Sequence, residues 1–263
     1  MQTHETPDWR ISFREAGERG APALVFLHGV GGAARGWARQ IEHFAGRYHV
    51  LAWDMPGYGE SAPIEPVTVT GLAAALMRFL EERGAEQPVL VGHSLGGMIV
   101  QQVLAAAPGA ARAVVLAQTS PAFGSRDGAF QRQFLADRLG PLDAGASMAE
   151  IAPGLAAGMV GPGADPAGVA LAAECLAGTP DASYRDGMMA LIGFDLRAAL
   201  ARIAVPTLVL AGEVDRSAPA AMMERMAGRI VGAQYAVLEG VGHLSYLEAP
   251  ARFNAALDGF LTG

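Results

Sequence analysis

The sequence predicts an α/β fold built around a parallel sheet. Short apolar runs bounded by turn residues alternate along the chain with longer segments rich in alanine and leucine. This alternation is typical of strand–helix–strand units. At 51% hydrophobic and 17% charged residues, the 263-residue chain is too apolar for intrinsic disorder and long enough to bury a sizeable core. Its length corresponds to between one and two average domains.

Seven strands and four helices are predicted outside the middle of the chain. The strands are short apolar runs between turn residues, at 9–14, 23–28, 49–54, 88–91, 113–118, 206–211 and 234–239. The helices have apolar residues at helical spacing, at 70–83, 95–106, 220–227 and 251–261. The segment around His4 is polar and is expected to be frayed.

The strand–helix alternation is interrupted once, over residues 121–193. Glycine and proline recur there between short helical segments, predicted at 129–139, 148–159, 167–177 and 182–191. A structureless loop of this length is improbable in a compact domain, so we interpret 121–193 as a helical cap inserted into a core formed by 1–120 and 194–263. An insertion between sheet strands lies over their carboxyl ends, where open α/β sheets bind ligands.

The charged residues exclude several kinds of chemistry and partner. All 19 basic residues are arginine, which excludes Schiff-base, pyridoxal and phosphate-loop lysines. The 26 acidic residues give a net charge of −7 and the arginines are scattered, so we expect neither nucleic acid nor a membrane surface as a partner.

The single cysteine and the N-terminal segment are typical of a cytoplasmic protein. Cys175 cannot form an intramolecular disulfide, and no cysteines and histidines have zinc-finger spacing, so no metal site is expected. Residues 1–10 lack a signal-peptide pattern, and no stretch of about 18 apolar residues follows.

A candidate nucleophile lies between a predicted strand and a predicted helix. The segment Gly92-His93-Ser94-Leu95-Gly96-Gly97 contains the pattern G-x-S-x-G in the strand–turn–helix context that a nucleophile elbow requires. Side chains at positions 92 and 96 would collide across such a turn. The alternative is an ordinary glycine-rich connection, but its flanks favour Ser94 as a nucleophile.

A serine needs a general base, and the base needs an orienting carboxylate. His243 follows the last predicted strand and therefore lies at the same sheet edge as Ser94, late in the chain as the order nucleophile, acid, base requires. Asp215 follows the strand at 206–211 by a short loop and is the candidate acid, with Glu213 as a weaker substitute.

Backbone N–H groups near Ser94 are candidates for an oxyanion hole. His28-Gly29-Val30-Gly31-Gly32 follows the strand at 23–28, so the N–H of Val30 can act opposite that of Leu95. The alternative is a flexible glycine turn. No G-x-G-x-x-G fingerprint or phosphate loop is present, and a dinucleotide cofactor is not expected.

Together these segments resemble the α/β-hydrolase superfamily over nearly the whole chain. The similar stretches are His28–Gly32, the loop Asp54-Met55-Pro56-Gly57-Tyr58-Gly59-Glu60-Ser61, the elbow at Gly92–Gly97, and the acid and base segments around Asp215 and His243. The resemblance implies an eight-stranded, mostly parallel sheet with a helical cap, a Ser-His-Asp mechanism and no cofactor.

Within the superfamily the last third of the chain looks most like the 3-oxoadipate enol-lactonases. The similar stretches are Thr179-Pro180, the run from Asp195 to Thr207, and His243-Leu244-Ser245. The resemblance implies a serine hydrolase of a small ester or lactone. We expect this hydrolase to be a monomer or a homodimer. Carbon–carbon hydrolases of meta-cleavage pathways, cofactor-free perhydrolases and a non-catalytic ligand-binding protein remain as alternatives.

Residues of the sheet edge and of the cap are predicted to contact the substrate. They are Gly29, His93, Trp37, Arg185, Met188 and Leu244. Four cap arginines are candidates to hold a substrate carboxylate, with Arg185 preferred, and the alternative is that they lie on solvated helix faces; they are Arg126, Arg132, Arg138 and Arg185.

Overall fold

The computed structural model describes residues 2–6, 9–125 and 127–262. Within them lies one sheet of eight strands: β1 (Gln2–Thr6), β2 (Trp9–Ala16), β3 (Ala23–Leu27), β4 (His49–Trp53), β5 (Val89–His93), β6 (Ala113–Ala117), β7 (Thr207–Gly212) and β8 (Gln234–Leu238). The strand order is β1-β2-β4-β3-β5-β6-β7-β8. The strands from β3 to β8 pair in parallel, and β1 and β2 are antiparallel. The predicted α/β fold with an eight-stranded, mostly parallel sheet is confirmed.

The N-terminal segment differs from its prediction. It forms β1, an edge strand paired with β2 from Gln2 opposite Phe13 to Thr6 opposite Trp9, instead of fraying. An edge strand needs only one hydrogen-bonded neighbour and can stay exposed, so it carries no apolar signal. The other seven strands begin and end within two residues of their predicted positions.

Ten α-helices are found in the described residues. They are α1 (Ala38–Phe44), α2 (Val69–Glu82), α3 (Leu95–Ala106), α4 (Ala129–Asp143), α5 (Met148–Met159), α6 (Pro166–Ala177), α7 (Asp181–Ala190), α8 (Ala220–Ala227), α9 (Ser245–Glu248) and α10 (Pro250–Thr262). Helices α4 to α7 fall between β6 and β7, within the segment 121–193 that we call the cap. None of the helices in the described part of the chain is long and apolar enough to cross a membrane.

The two ends of the cap segment lie side by side. The N–H of Phe123 donates to the carbonyl of Phe194 at 2.9 Å, and the N–H of Leu196 donates to the carbonyl of Pro121 at 2.8 Å. Because residue 121 follows β6 and residue 196 leads towards β7, the chain leaves and re-enters the sheet region at adjacent points.

The central strands form the middle of the core. Every residue of β3, β4, β5 and β7 is buried. Strands covered on both faces by helices read as continuous apolar runs, which is why they were recognisable in the sequence. Their carboxyl ends share one edge of the sheet, and the polar segments that follow β3, β5, β7 and β8 meet there.

Candidate active site

Ser94 lies in a sharp turn between β5 and α3. Its backbone is in an unusual conformation, with φ of 53° and ψ of −120°. A Cβ atom at Gly92 would lie 2.5 Å from the carbonyl oxygen of Gly96, and one at Gly96 would lie 2.3 Å from that of Leu27. Such contacts are too short for any side chain, so glycine is required at both positions. The turn leaves Ser94 at the carboxyl edge of the sheet.

Ser94, His243 and Asp215 form a continuous chain of hydrogen bonds. The Ser94 hydroxyl donates to Nε2 of His243 at 3.1 Å, and Nδ1–H of His243 donates to Oδ2 of Asp215 at 2.8 Å. The three residues follow β5, β8 and β7, which end at the same sheet edge. With its proton on Nδ1, the His243 imidazole can accept the serine proton at Nε2.

The Asp215 carboxylate is held by backbone groups as well as by His243. Its Oδ1 accepts hydrogen bonds from the N–H of Ser217 at 2.7 Å and of Ala218 at 3.0 Å. Burial opposes ionisation, but His243 and these two amides outweigh it and lower the pKa of Asp215 below its ordinary value. The carboxylate therefore stays ionised and can stabilise an imidazolium ion.

Glu213, the weaker candidate acid, lies apart from this chain of hydrogen bonds. Its side chain is exposed, and Oε2 accepts a hydrogen bond from the N–H of Gly240 at 2.7 Å. The structure thus brings Asp215, and not Glu213, to the imidazole.

Residues 28–32 pass directly over the serine. A Cβ atom at Gly29 would lie 2.7 Å from Cβ of Ser94 and 3.2 Å from its Oγ. The His28 side chain fixes this loop through two hydrogen bonds. Its Nδ1–H donates to the carbonyl of Gly29 at 2.8 Å, and its Nε2 accepts the N–H of Met55 at 3.0 Å. Burial lowers the pKa of His28 and keeps it neutral, as these two bonds require.

The two residues predicted to donate N–H groups to an oxyanion lie next to Ser94. Val30 lines the space above Ser94, and Leu95 is the first residue of α3, where an N–H group has no intrahelical partner. If Ser94 attacks a carbonyl group, the oxygen of that group becomes negatively charged near the N-terminus of α3, where the helix dipole stabilises negative charge.

His93 fixes the backbone of the histidine that faces Ser94. Its ring is buried, and Nε2–H donates to the main-chain carbonyl of His243 at 2.6 Å. Burial, followed by the charge of His243, lowers the pKa of His93 to about 3. His93 is therefore neutral near pH 7 and acts as a fixed hydrogen-bond donor.

A cleft opens above Ser94 between the cap and the sheet edge. It encloses about 730 Å³, counting its mouth, which is within the range of small-molecule sites. Its apolar wall is contributed mainly by the cap, with Phe123, Phe134, Met159, Leu176, Met188 and Leu191. Polar groups are provided at the sheet edge by Gln118, Thr119, Ser120 and Ser217.

Of the arginines that the structure describes, one lines this cleft. It is Arg138 of α4, whose guanidinium lies 5.5 Å from the centre of the Phe134 ring. Among the described residues Arg138 has no ion-pair partner. Within the part of the chain that the structure describes, its guanidinium therefore has no counter-ion, and the cleft around it is mostly apolar.

The structure brings some of the predicted substrate contacts to the cleft. His93, Met188 and Leu244 line it, and Gly29 adjoins Ser94.

Two predicted contacts, Trp37 and Arg185, are wrong because neither residue reaches the cleft. Trp37 is completely buried in the core, stacked on Phe26 at 4.9 Å and on Tyr246 at 3.9 Å between ring centres. Arg185 pairs with Asp143 at 2.5 Å and is partly exposed on the cap.

The arginine that does reach the cleft was one of four candidates. Arg132 donates instead to the carbonyl of Asp127, and Arg126 lies outside the described residues. Arg138 follows Phe134 by four residues, so both lie on one face of α4, and this spacing to an aromatic was the signal available in the sequence.

The described part of the chain contains no cluster of side chains that could hold a metal ion. No group of three or more His, Cys, Asp or Glu side chains is arranged there to hold an ion.

Comparison with known proteins identifies the family. The model of the alpha/beta hydrolase family matches residues 24–256. The chain belongs to this family. It is similar to 3-oxoadipate enol-lactonase 2 of Acinetobacter baylyi, with 28% identity over 95% of this chain and 92% of that protein. The crystal structure of the enol-lactonase from Burkholderia xenovorans LB400 superposes with a TM-score of 0.86 and 25% identity, covering 100% of both chains. The resemblance to enol-lactonases found in the sequence is confirmed.

Another relative is a much longer protein than this chain. The polyketide synthase ThaQ of Burkholderia thailandensis is 32% identical over 93% of this chain, but the chain spans 12% of that protein's length. This likeness therefore concerns one segment of ThaQ.

Replacing His93 with asparagine is expected to change how stability depends on pH. The folded-state pKa of about 3 lies below the ordinary value of 6.5, so on acidification the unfolded state binds a proton that the folded state excludes. The free energy of unfolding of the native protein should fall by up to about 1.4 kcal/mol per pH unit below pH ~6.5 from this group alone. His93→Asn should lack that contribution.

Urea unfolding at about pH 7.5 and about pH 5.5 measures the two slopes. Equal pH dependence in the native protein and the variant would show that His93 is not held neutral.

Proposed function

We propose that the protein hydrolyses a small carboxylic ester or lactone through Ser94, His243 and Asp215. The hydrogen-bond chain from the Ser94 hydroxyl through His243 to Asp215 carries this proposal. Membership of the alpha/beta hydrolase family and similarity to enol-lactonases support it.

In the proposed reaction Ser94 Oγ attacks the carbonyl carbon while His243 Nε2 accepts the hydroxyl proton. Asp215 stabilises the imidazolium, and the N–H groups of Val30 and Leu95 stabilise the tetrahedral oxyanion. His243 then returns the proton to the leaving alkoxide or enolate, which produces an acyl-enzyme. Water, deprotonated by His243, attacks the acyl carbonyl, and the acid is released with Ser94 protonated again.

Arg138 favours substrates that carry a carboxylate in addition to the reacting ester. The cleft is mostly apolar, so a guanidinium without an ion-pair partner among the described residues gains most from an anionic ligand. The fork of a guanidinium can hold a carboxylate bidentately. A lactone or half-ester with an acidic arm fits this pattern.

Replacing Ser94 with alanine is expected to abolish hydrolysis of an activated aryl ester. Because the three residues act as a unit, kcat should fall by about 10⁴-fold or more. Labelling by a fluorophosphonate should be lost at the same time. Ser147→Ala, at the exposed N-terminus of α5, is the matched control and should keep both activities.

Ser94→Ala protein that remains folded and hydrolyses the ester at the native rate would overturn the proposed function. Turnover of a meta-cleavage diketone in preference to every ester and lactone would instead favour carbon–carbon hydrolysis.

Replacing Arg138 with methionine is expected to discriminate between anionic and neutral substrates. Loss of a charged hydrogen bond should lower kcat/KM roughly 10- to 100-fold for a dicarboxylate half-ester. The neutral methyl diester should be affected much less, because it offers no anion to the guanidinium. Steady-state kinetics on this substrate pair gives the ratio.

Arg185→Met is the control, since Arg185 pairs with Asp143 away from the cleft. If Arg138→Met lowers kcat/KM equally for both substrates, Arg138 does not recognise a carboxylate.

A further inference from the structure

Glu248 is a buried carboxylate next to the site but outside the hydrogen-bond chain of Ser94, His243 and Asp215. It is the last residue of α9, is 3% exposed, and has no cationic partner among the described residues. A buried acidic side chain without a counter-ion is costly unless its oxygens accept hydrogen bonds. The hydrogen bonds of Glu248 therefore indicate what keeps this residue in place.

Three backbone N–H groups donate to the Glu248 carboxylate. Oε2 accepts from Gly161 at 2.6 Å and from Gly242 at 2.9 Å, and Oε1 accepts from Leu244 at 3.0 Å. Gly242 and Leu244 are the two neighbours of His243 in sequence. The carboxylate thus holds the backbone on both sides of the histidine that faces Ser94.

The main chain of His243 itself is held from two other directions. Its N–H donates to the carbonyl of Met159 at 2.7 Å, and its carbonyl accepts Nε2–H of His93 at 2.6 Å. Hydrogen bonds to the main chain therefore hold three successive residues, Gly242, His243 and Leu244.

One of the three N–H groups that donate to Glu248, that of Gly161, belongs to the cap. Gly161 follows α5, and a Cβ atom at this position would lie 1.9 Å from the carbonyl oxygen of Gly240. A Cβ atom at Gly242 would lie 2.4 Å from the carbonyl of Met159. In addition the N–H of Asp165 donates to the main-chain carbonyl of Glu248 at 2.8 Å. The cap segment after α5 is packed directly on the backbone that carries His243.

We propose that Glu248 is a positioning residue that sets the place of His243 and ties it to the cap. One carboxylate oxygen holds both Gly161 of the cap and Gly242 beside the base, so a displaced cap also displaces the imidazole. This inference rests on the proposed function, in which His243 is the general base. It adds that the base is aligned with Ser94 only while the cap segment after α5 is seated.

Glutamine at position 248 has nearly the same shape but cannot make the same bonds. Its amide has one acceptor oxygen, and its NH₂ group would face a backbone N–H that also donates. At least one of the three bonds must be lost. Because small displacements of reacting groups cost up to about 100-fold in rate, we expect kcat to fall roughly 10- to 100-fold with little change in KM.

The experiment compares Glu248→Gln with Glu213→Gln. Glu213 follows β7 and accepts one N–H, from Gly240 in the loop after β8, and its side chain is exposed, so this control should keep native kcat. The readouts are steady-state kinetics on an activated ester, the rate of fluorophosphonate labelling of Ser94, and the low-field proton resonance of the His243 Nδ1–H that is bonded to Asp215. Urea unfolding confirms that each variant is folded under assay conditions.

The low-field resonance separates positioning from a general stabilising role. We expect it to shift or broaden in Glu248→Gln and to stay unchanged in Glu213→Gln, with slower labelling only in the former. A folded Glu248→Gln variant with native kcat, labelling rate and resonance overturns the inference. If Glu248→Gln does not fold, Glu248→Asp keeps the charge and retracts it by one methylene, and the same readouts apply.

The two proposals fail in different ways. Activity that survives in Ser94→Ala contradicts the proposed function, whereas the His243 resonance is measured without substrate and tests the positioning role alone.

Discussion

The close approach of three backbone segments around Ser94 is the constraint on which the rest of the site depends. The turn after β5 places Gly96 against the carbonyl of Leu27, and Gly29 lies against the side chain of Ser94. A side chain at Gly96 would push β3 and α3 apart. The serine is exposed to the cleft, and beside its flanking amides, only because these contacts are made by glycine.

Three buried side chains of the site, His28, His93 and Asp215, hold backbone groups through hydrogen bonds, which keeps the geometry rigid. His28 and His93 are kept neutral by burial and use their rings as fixed hydrogen-bonding groups. Asp215 is a buried carboxylate held by two backbone amides in addition to the imidazole. In a low-dielectric interior each such bond is strong, and losing it leaves a costly unpaired group. A site built this way is preorganised for charge that develops during reaction.

Recognition of the family and of the parallel sheet was possible from sequence because both depend on local patterns. Strands covered on both faces give continuous apolar runs, and the elbow motif has fixed spacing within six residues. Strand β1 escaped prediction because an exposed edge strand has no such run. Trp37 and Arg185 are predicted substrate contacts that the structure places elsewhere. Their actual partners, Tyr246 and Asp143, are distant in sequence and could not be read from it.

Local sequence patterns predict the α/β fold, the family, and Ser94, His243 and Asp215 as candidate catalytic residues. Those features are encoded by periodicity and by short motifs at the ends of strands. Two features are evident only in the folded chain: Arg138 reaches the cleft, and Glu248 holds both neighbours of His243 together with Gly161 of the cap. Side-chain direction and long-range hydrogen bonds follow from how the cap packs on the sheet. That packing is a property of the whole chain rather than of any local pattern.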